Sequence, residues 1–137
     1  MQKSLFLIIL CLTIALVARS TTIIVTNNGQ TFTPNSVNAF LGDTIDFQLS
    51  SEHNVVEVSK TVWNANGSVS NGGFLLPFGG GKVALKDTGI IYYVCEPHSI
   101  FGMKGSITVS LPKIGDTYIA KMSGMQEEFP FAGFGTG

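Results

Sequence analysis

The sequence predicts an all-β protein, an antiparallel β-sandwich or barrel, on three observations. Short runs of β-branched and aromatic residues recur between positions 22 and 110. Gly, Asn and Pro punctuate them. Beyond the first twenty residues no apolar pattern keeps a 3.6-residue period for three turns. Strands at this spacing with turn residues between them form sandwiches or barrels.

Taken in order, Thr22 to Thr26 is a β-branched run that stops at Asn27-Asn28-Gly29. Ser36 to Leu41 follows Pro34 and ends at Gly42-Asp43. Thr44 to Leu49 alternates, with Ile45, Phe47 and Leu49 on one face and Thr44, Asp46 and Gln48 on the other. Val55 to Ser59, Lys82 to Leu85, Ile90 to Cys95 and Lys104 to Ser110 complete the expected strands. Residues 60–81 contain "NANGSVSNGG" and "PFGGG" and read as a glycine-rich excursion, with a turn of helix near Lys60 to Trp63.

The first twenty residues read differently. Lys3 is followed by a thirteen-residue apolar run, Leu5 to Val17, and then by the small-x-small pattern Ala18-Arg19-Ser20. This is the pattern of a secretory signal peptide (1–20) cleaved after Ser20. A membrane span would need about 20 apolar residues. The expected organisation is therefore leader 1–20, one β domain 21–111 and a flexible or loosely docked tail 112–137 ending in "FPFAGFGTG". The protein is expected outside the cell or in a periplasm, as a monomer. Asn66-Gly67-Ser68 offers Asn66 as a glycosylation acceptor in a eukaryotic host.

Loss of the leader would move the formal charge from −1 to −3, because Lys3 and Arg19 go with it. Six scattered basic residues in an acidic chain give no footprint for nucleic acid. Cys11 also goes, which leaves Cys95 as the single cysteine in an oxidising compartment where cysteines normally pair. A lone cysteine there implies an intermolecular bridge, a reactive thiol or a ligand.

The stretch "YYVCEPHSIFGMKG" favours the ligand. Cys95 shares parity with Ile91 and Tyr93 and points into the sandwich, while Glu96-Pro97 turn the chain so that His98 returns to the same point. Met103 follows just before the next strand. Thiolate and thioether are soft donors that suit copper(I), and imidazole extends tolerance to copper(II). The only other histidine of the chain is His53, at the mouth of a strand. His53, Cys95 and His98 in a plane, with Met103 as a weak axial ligand, complete one copper site per chain.

With those residues quoted, the chain resembles the cupredoxins, the small blue (type 1) copper proteins that include plastocyanin, pseudoazurin and the phytocyanins. "FTPNSVNAFLGDTIDF" is similar to the family's opening segment, and "HNVVEV" to the segment carrying its first copper histidine. "DTGIIYYVCEPHSIFGMKGSITV" is similar to the closing segment, with Cys95, His98 and Met103 at the ligand positions. The resemblance implies a Greek-key sandwich and one-electron transfer between transient redox protein partners. Asn54 shares parity with Val56 and Val58 and is expected to face inward, and the resemblance implies that it ties together the two ligand loops, the second of them shaped by the turn at Pro97. Val94 stands where plastocyanins carry an aromatic residue before the cysteine. Electrons are expected to pass through His98, within a docking patch of Ile100, Phe101, Leu75 and Phe78.

Two other readings use the same ligands: a copper storage or cell-surface module without electron transfer, and a zinc site. An enzyme is not expected. Catalytic copper centres and hydrolytic triads need histidines beyond the two already assigned.

Overall fold

The computed structural model describes residues 20–112 as two facing β-sheets. The expected leader and tail lie outside the described residues, apart from Ser20 and Pro112. Nine strands appear: β1 (Thr22–Asn28), β2 (Thr31–Thr33), β3 (Ser36–Phe40), β4 (Thr44–Gln48), β5 (Val55–Val58), β6 (Ser70–Leu76), β7 (Gly80–Ala84), β8 (Gly89–Val94) and β9 (Lys104–Ser110). One short helix, α1 (Lys60–Asn64), follows β5, and a 3-10 turn at Glu96–Phe101 joins β8 to β9. The four-stranded sheet runs β2-β1-β4-β7 and the five-stranded sheet β3-β9-β8-β5-β6.

Five strand pairs are antiparallel, as the alternation suggested, but β1–β4 and β3–β9 are parallel. Parallel neighbours require a crossover. Here β3 supplies it: the chain leaves β1 and β2, crosses to the opposite sheet as β3, and returns as β4.

The two inner faces meet over Val25, Phe32, Val37, Ile45, Phe47, Tyr93, Ile107 and Val109, all buried. Phe32, Phe47 and Tyr93 stack edge-to-face, with Tyr93 5.0 Å from Phe32 and 5.1 Å from Phe47 between centroids. Such geometry adds about 1 kcal/mol per pair beyond area burial. A second apolar cluster lies on the outer face of the larger sheet, where Val62 and Trp63 of α1 cover Val56, Val58 and Val94. β5 and the Tyr93–Val94 end of β8 are thus covered on both faces.

The glycine-rich stretch contains more order than its composition suggested. β6 pairs with β5 as an edge strand, with an irregular register between Val56 and Val58. Gly73 has a steric reason: a Cβ there would run into the Glu57 carboxylate, which accepts from Asn71 Nδ2 and the Phe74 N–H. Likewise β7 begins at Gly80, earlier than expected, because a Cβ there would meet the Phe47 carbonyl at 2.0 Å. β2 was also unforeseen, since three residues carry too little pattern. It follows β1 through a two-residue hairpin and delivers the fully buried Phe32.

Tyr93 brings a hydroxyl into this core with no hydrogen-bond partner among the described residues. Burial pushes its phenol well above the ordinary range. An unsatisfied buried donor costs about 1–3 kcal/mol. Tyr93→Phe should therefore stabilise the metal-free protein by about 1 kcal/mol in urea unfolding, net of small packing changes. A loss of similar size would show that the hydroxyl is satisfied.

Candidate metal centre

His53, Cys95 and His98 converge at one end of the sandwich, each by a different local device. His53 lies in the connection between β4 and β5. A turn holds it there: its N–H donates to the Ser50 carbonyl (3.1 Å), and its own carbonyl accepts from Gly79 (3.0 Å). Cys95 is the first residue beyond β8, and its thiol keeps the inward parity of Tyr93. His98 is returned by the 3-10 turn, which starts with Pro97 in its first turn and ends on Gly102 at φ 86°, a left-handed conformation suited to glycine.

Backbone bonds close this loop on itself. Cys95 N–H donates to the Met103 carbonyl (3.0 Å), Met103 N–H to the His98 carbonyl (3.1 Å), and His98 N–H to the Cys95 carbonyl (3.1 Å). The three residues are consequently fixed relative to one another before any ion is considered.

The donor atoms form a tight triangle. Cys95 Sγ is 3.6 Å from His53 Nδ1 and 3.4 Å from His98 Nδ1, and the two Nδ1 atoms are 3.1 Å apart. A point equidistant from all three lies about 2 Å from each, which is a metal–imidazole bond length and a little short of a metal–thiolate bond. Cys95 is completely buried, His53 is 3 % exposed, and His98 is half-buried. Met103 is completely buried in the same core cluster as Cys95.

Electrostatics match this geometry. Burial lowers the pKa of His53, and the neighbouring His98 lowers it further, so the neutral imidazole that a metal needs is favoured. Burial raises the pKa of the Cys95 thiol, partly countered by the backbone N–H groups of Asn54 and His98 that face the sulfur. One thiolate, two neutral imidazoles and a buried thioether nearby form the donor set of a type 1 copper site. Zinc cages use Cys, His and carboxylates and have no use for a thioether. The cluster fits a single type 1 copper ion.

The neighbours of the triangle differ in part from expectation. Asn54 is buried, and its side chain clasps Glu96 twice: Oδ1 accepts from the Glu96 N–H (2.8 Å), and Nδ2 donates to Glu96 Oε2 (3.1 Å). The two loops are thus bridged by Asn54. Its parity partners Val56 and Val58, however, belong to the outer cluster under α1 rather than to the sandwich core. The Glu96 carboxylate was a missed participant, because nothing in the local sequence announces a contact forty-two residues away. Pro97 is exposed, and so are Ile100 (73 %), Phe101 (72 %), Leu75 (66 %) and Phe78 (57 %). Asn66 is half-buried at φ 56°, with its Oδ1 accepting from Lys104 Nζ (2.8 Å).

Among solved structures, the chain is similar to pseudoazurin from Methylobacterium extorquens AM1, at 20% identity over 70% of this chain and 80% of that one, with a TM-score of 0.51. It is also similar to a mutant amicyanin in the Cu(I) state, at 18% identity over 65% of this chain and 82% of that one, with a TM-score of 0.50. The oxidized form of plastocyanin from Dryopteris crassirhizoma is 24% identical over 64% of this chain and all of that one, with a TM-score of 0.45. At such identities the first two likenesses speak for the fold, the cupredoxin β-sandwich. No curated protein matches the sequence. Residues 20–110 match the model of the copper binding proteins of the plastocyanin/azurin family, and with that match spanning the whole sandwich and its His-Cys-His cluster, the chain belongs to this family, the cupredoxins.

Proposed function

We propose that the protein is an exported single-electron carrier in which His53, Cys95 and His98 would hold one copper ion, with the buried Met103 offering a thioether as a further, weaker donor. The convergence of the three donor atoms behind a completely buried Cys95 carries this reading. Bound there, copper would give and take one electron by cycling between its +1 and +2 states. The residues do the rest. The two ligand loops, held by backbone bonds and joined by the Asn54–Glu96 clasp, keep the donors from rearranging between states. Burial around Cys95 excludes water and oxidants from the sulfur.

Exchange with partners would run through His98, the one half-buried member of the triangle. Ile100 and Phe101, three-quarters exposed in the same turn, form the apolar surface for a brief encounter, with Leu75 and Phe78 beside it. Both histidines of the chain are committed, so no second, catalytic copper centre can be assembled from it. Export rests on residues 1–20, and no described helix is long and apolar enough to cross a membrane.

Visible absorption of the copper(II)-loaded protein tests this directly. A copper–thiolate site should give an intense band near 600 nm (about, for this ligand set), bleached by one electron equivalent and restored on reoxidation. Cys95→Ser should abolish the band. A colourless loaded protein, or a band that cannot be cycled, would contradict electron carriage and leave storage.

The pH dependence follows from Cys95. Its raised pKa keeps the metal-free thiol protonated at neutral pH, and the thiolate is the ligand, so binding must expel that proton. Copper(I) affinity, measured by competition with a chelator, should rise about tenfold per pH unit between pH 6 and 8. His53 does not add to this slope there, because its pKa is lowered and it is already neutral. A flat profile would remove Cys95 from the ligand set.

A further inference from the structure

The outer face of the larger sheet carries a cluster that electron exchange at His98 does not use. In the β8–β9 ladder, Val94 pairs with Lys104 and Tyr93 with Gly105. The next residues beyond that rung are Cys95 and Met103, whose side chains turn inward to the metal centre. Val94 and Lys104 project the opposite way, toward α1.

α1 grips both. Trp63 packs against the cluster that holds Val94, with its ring centroid 5.3 Å from that of Tyr92 at a 53° tilt. Its indole Nε1 donates to the Gly105 carbonyl over 3.0 Å. Lys104 Nζ donates to the Trp63 carbonyl (3.0 Å) and to Asn66 Oδ1 (2.8 Å), and lies 4.2 Å from the Trp63 ring centroid. A five-residue helix has no stability of its own. It is held by these contacts, and every one of its polar contacts to β9 falls on the two residues that follow Met103.

We propose that Trp63 and Lys104 are positioning residues of the metal centre, bracing from behind the two backbone segments that present Cys95 and Met103. The proposal rests on the ligand assignment above only for its copper-loaded readouts. Two part-buried charge-assisted bonds and a cation–π contact resist the small separation of β8 from β9 that would let Met103 move relative to Cys95. A brace of this kind leaves the direct donors untouched and acts on how tightly their backbone is held.

The test compares Lys104→Met, which keeps the apolar stem and removes the ammonium, and Trp63→Phe, which keeps an aromatic ring and removes the indole N–H. Lys104→Arg restores a cation over the ring. Val58→Ala weakens the same outer cluster without touching Lys104 or Gly105. In metal-free protein, the Cys95 amide, which donates to Met103, should exchange about tenfold faster in the first two variants. The β1 amides should be unaffected. In copper-loaded protein, the thiolate absorption envelope and the reduction potential should shift in the same two variants and return in Lys104→Arg. If Lys104→Met and Trp63→Phe match wild type, or change no more than Val58→Ala, the brace is overturned. Absence of a thiolate band in wild type would sink the copper reading instead, and the exchange measurement would still decide the brace.

Discussion

Cys95 donates its backbone N–H to the Met103 carbonyl over 3.0 Å, and the metal centre depends on that bond. It extends the β8–β9 ladder one rung past its last register pair, Val94 with Lys104. Cys95 and Met103 are thereby set opposite one another by sheet geometry instead of by loop conformation, both buried in the same core cluster. The 3-10 turn between them is short enough that His98 must fold back over the same point. Its N–H and carbonyl complete the closure by bonding to Cys95 and Met103. Only His53 comes from elsewhere, and the sandwich delivers it because β5 neighbours β8.

This arrangement conflicts locally with what a core prefers. A thiol and two ring nitrogens lie within 3.1 to 3.6 Å of one another in a largely buried pocket. Burial pushes the thiol up and the His53 imidazole down, so the neutral forms are favoured and charge repulsion is avoided. Such departures from local consistency are tolerated at functional sites when the surroundings are strongly determined. Here they are determined by the aromatic trio of Phe32, Phe47 and Tyr93 on one side and the α1-covered valines on the other.

Much of this could be read from the sequence because two signals are strictly local. Alternation in Thr44–Leu49 placed Ile45 and Phe47 in the core, and parity placed Cys95 beside Tyr93. The spacing Cys95, His98, Met103 is likewise a property of one loop. What escaped depends on long-range pairing. The parallel β1–β4 and β3–β9 neighbours leave no mark in a short window. β6 hid behind glycines, of which Gly73 has its reason in the carboxylate of Glu57 on the adjacent strand. Val56 and Val58 looked like core residues until α1 supplied a second apolar layer on the outer face. The Asn54–Glu96 clasp and the Lys104 contacts to Trp63 and Asn66 join residues about forty positions apart.

Strands and backbone bonds preorganise the donor triangle, so that copper would enter a cage already formed. Crystal structures of the metal-free and copper-loaded protein measure this most directly. The expected result is that Sγ of Cys95, Nδ1 of His53 and Nδ1 of His98 keep their places to within about 0.5 Å between the two states. A metal-free structure with the Glu96–Phe101 turn unfolded, or with the Cys95 thiol facing solvent, would contradict it.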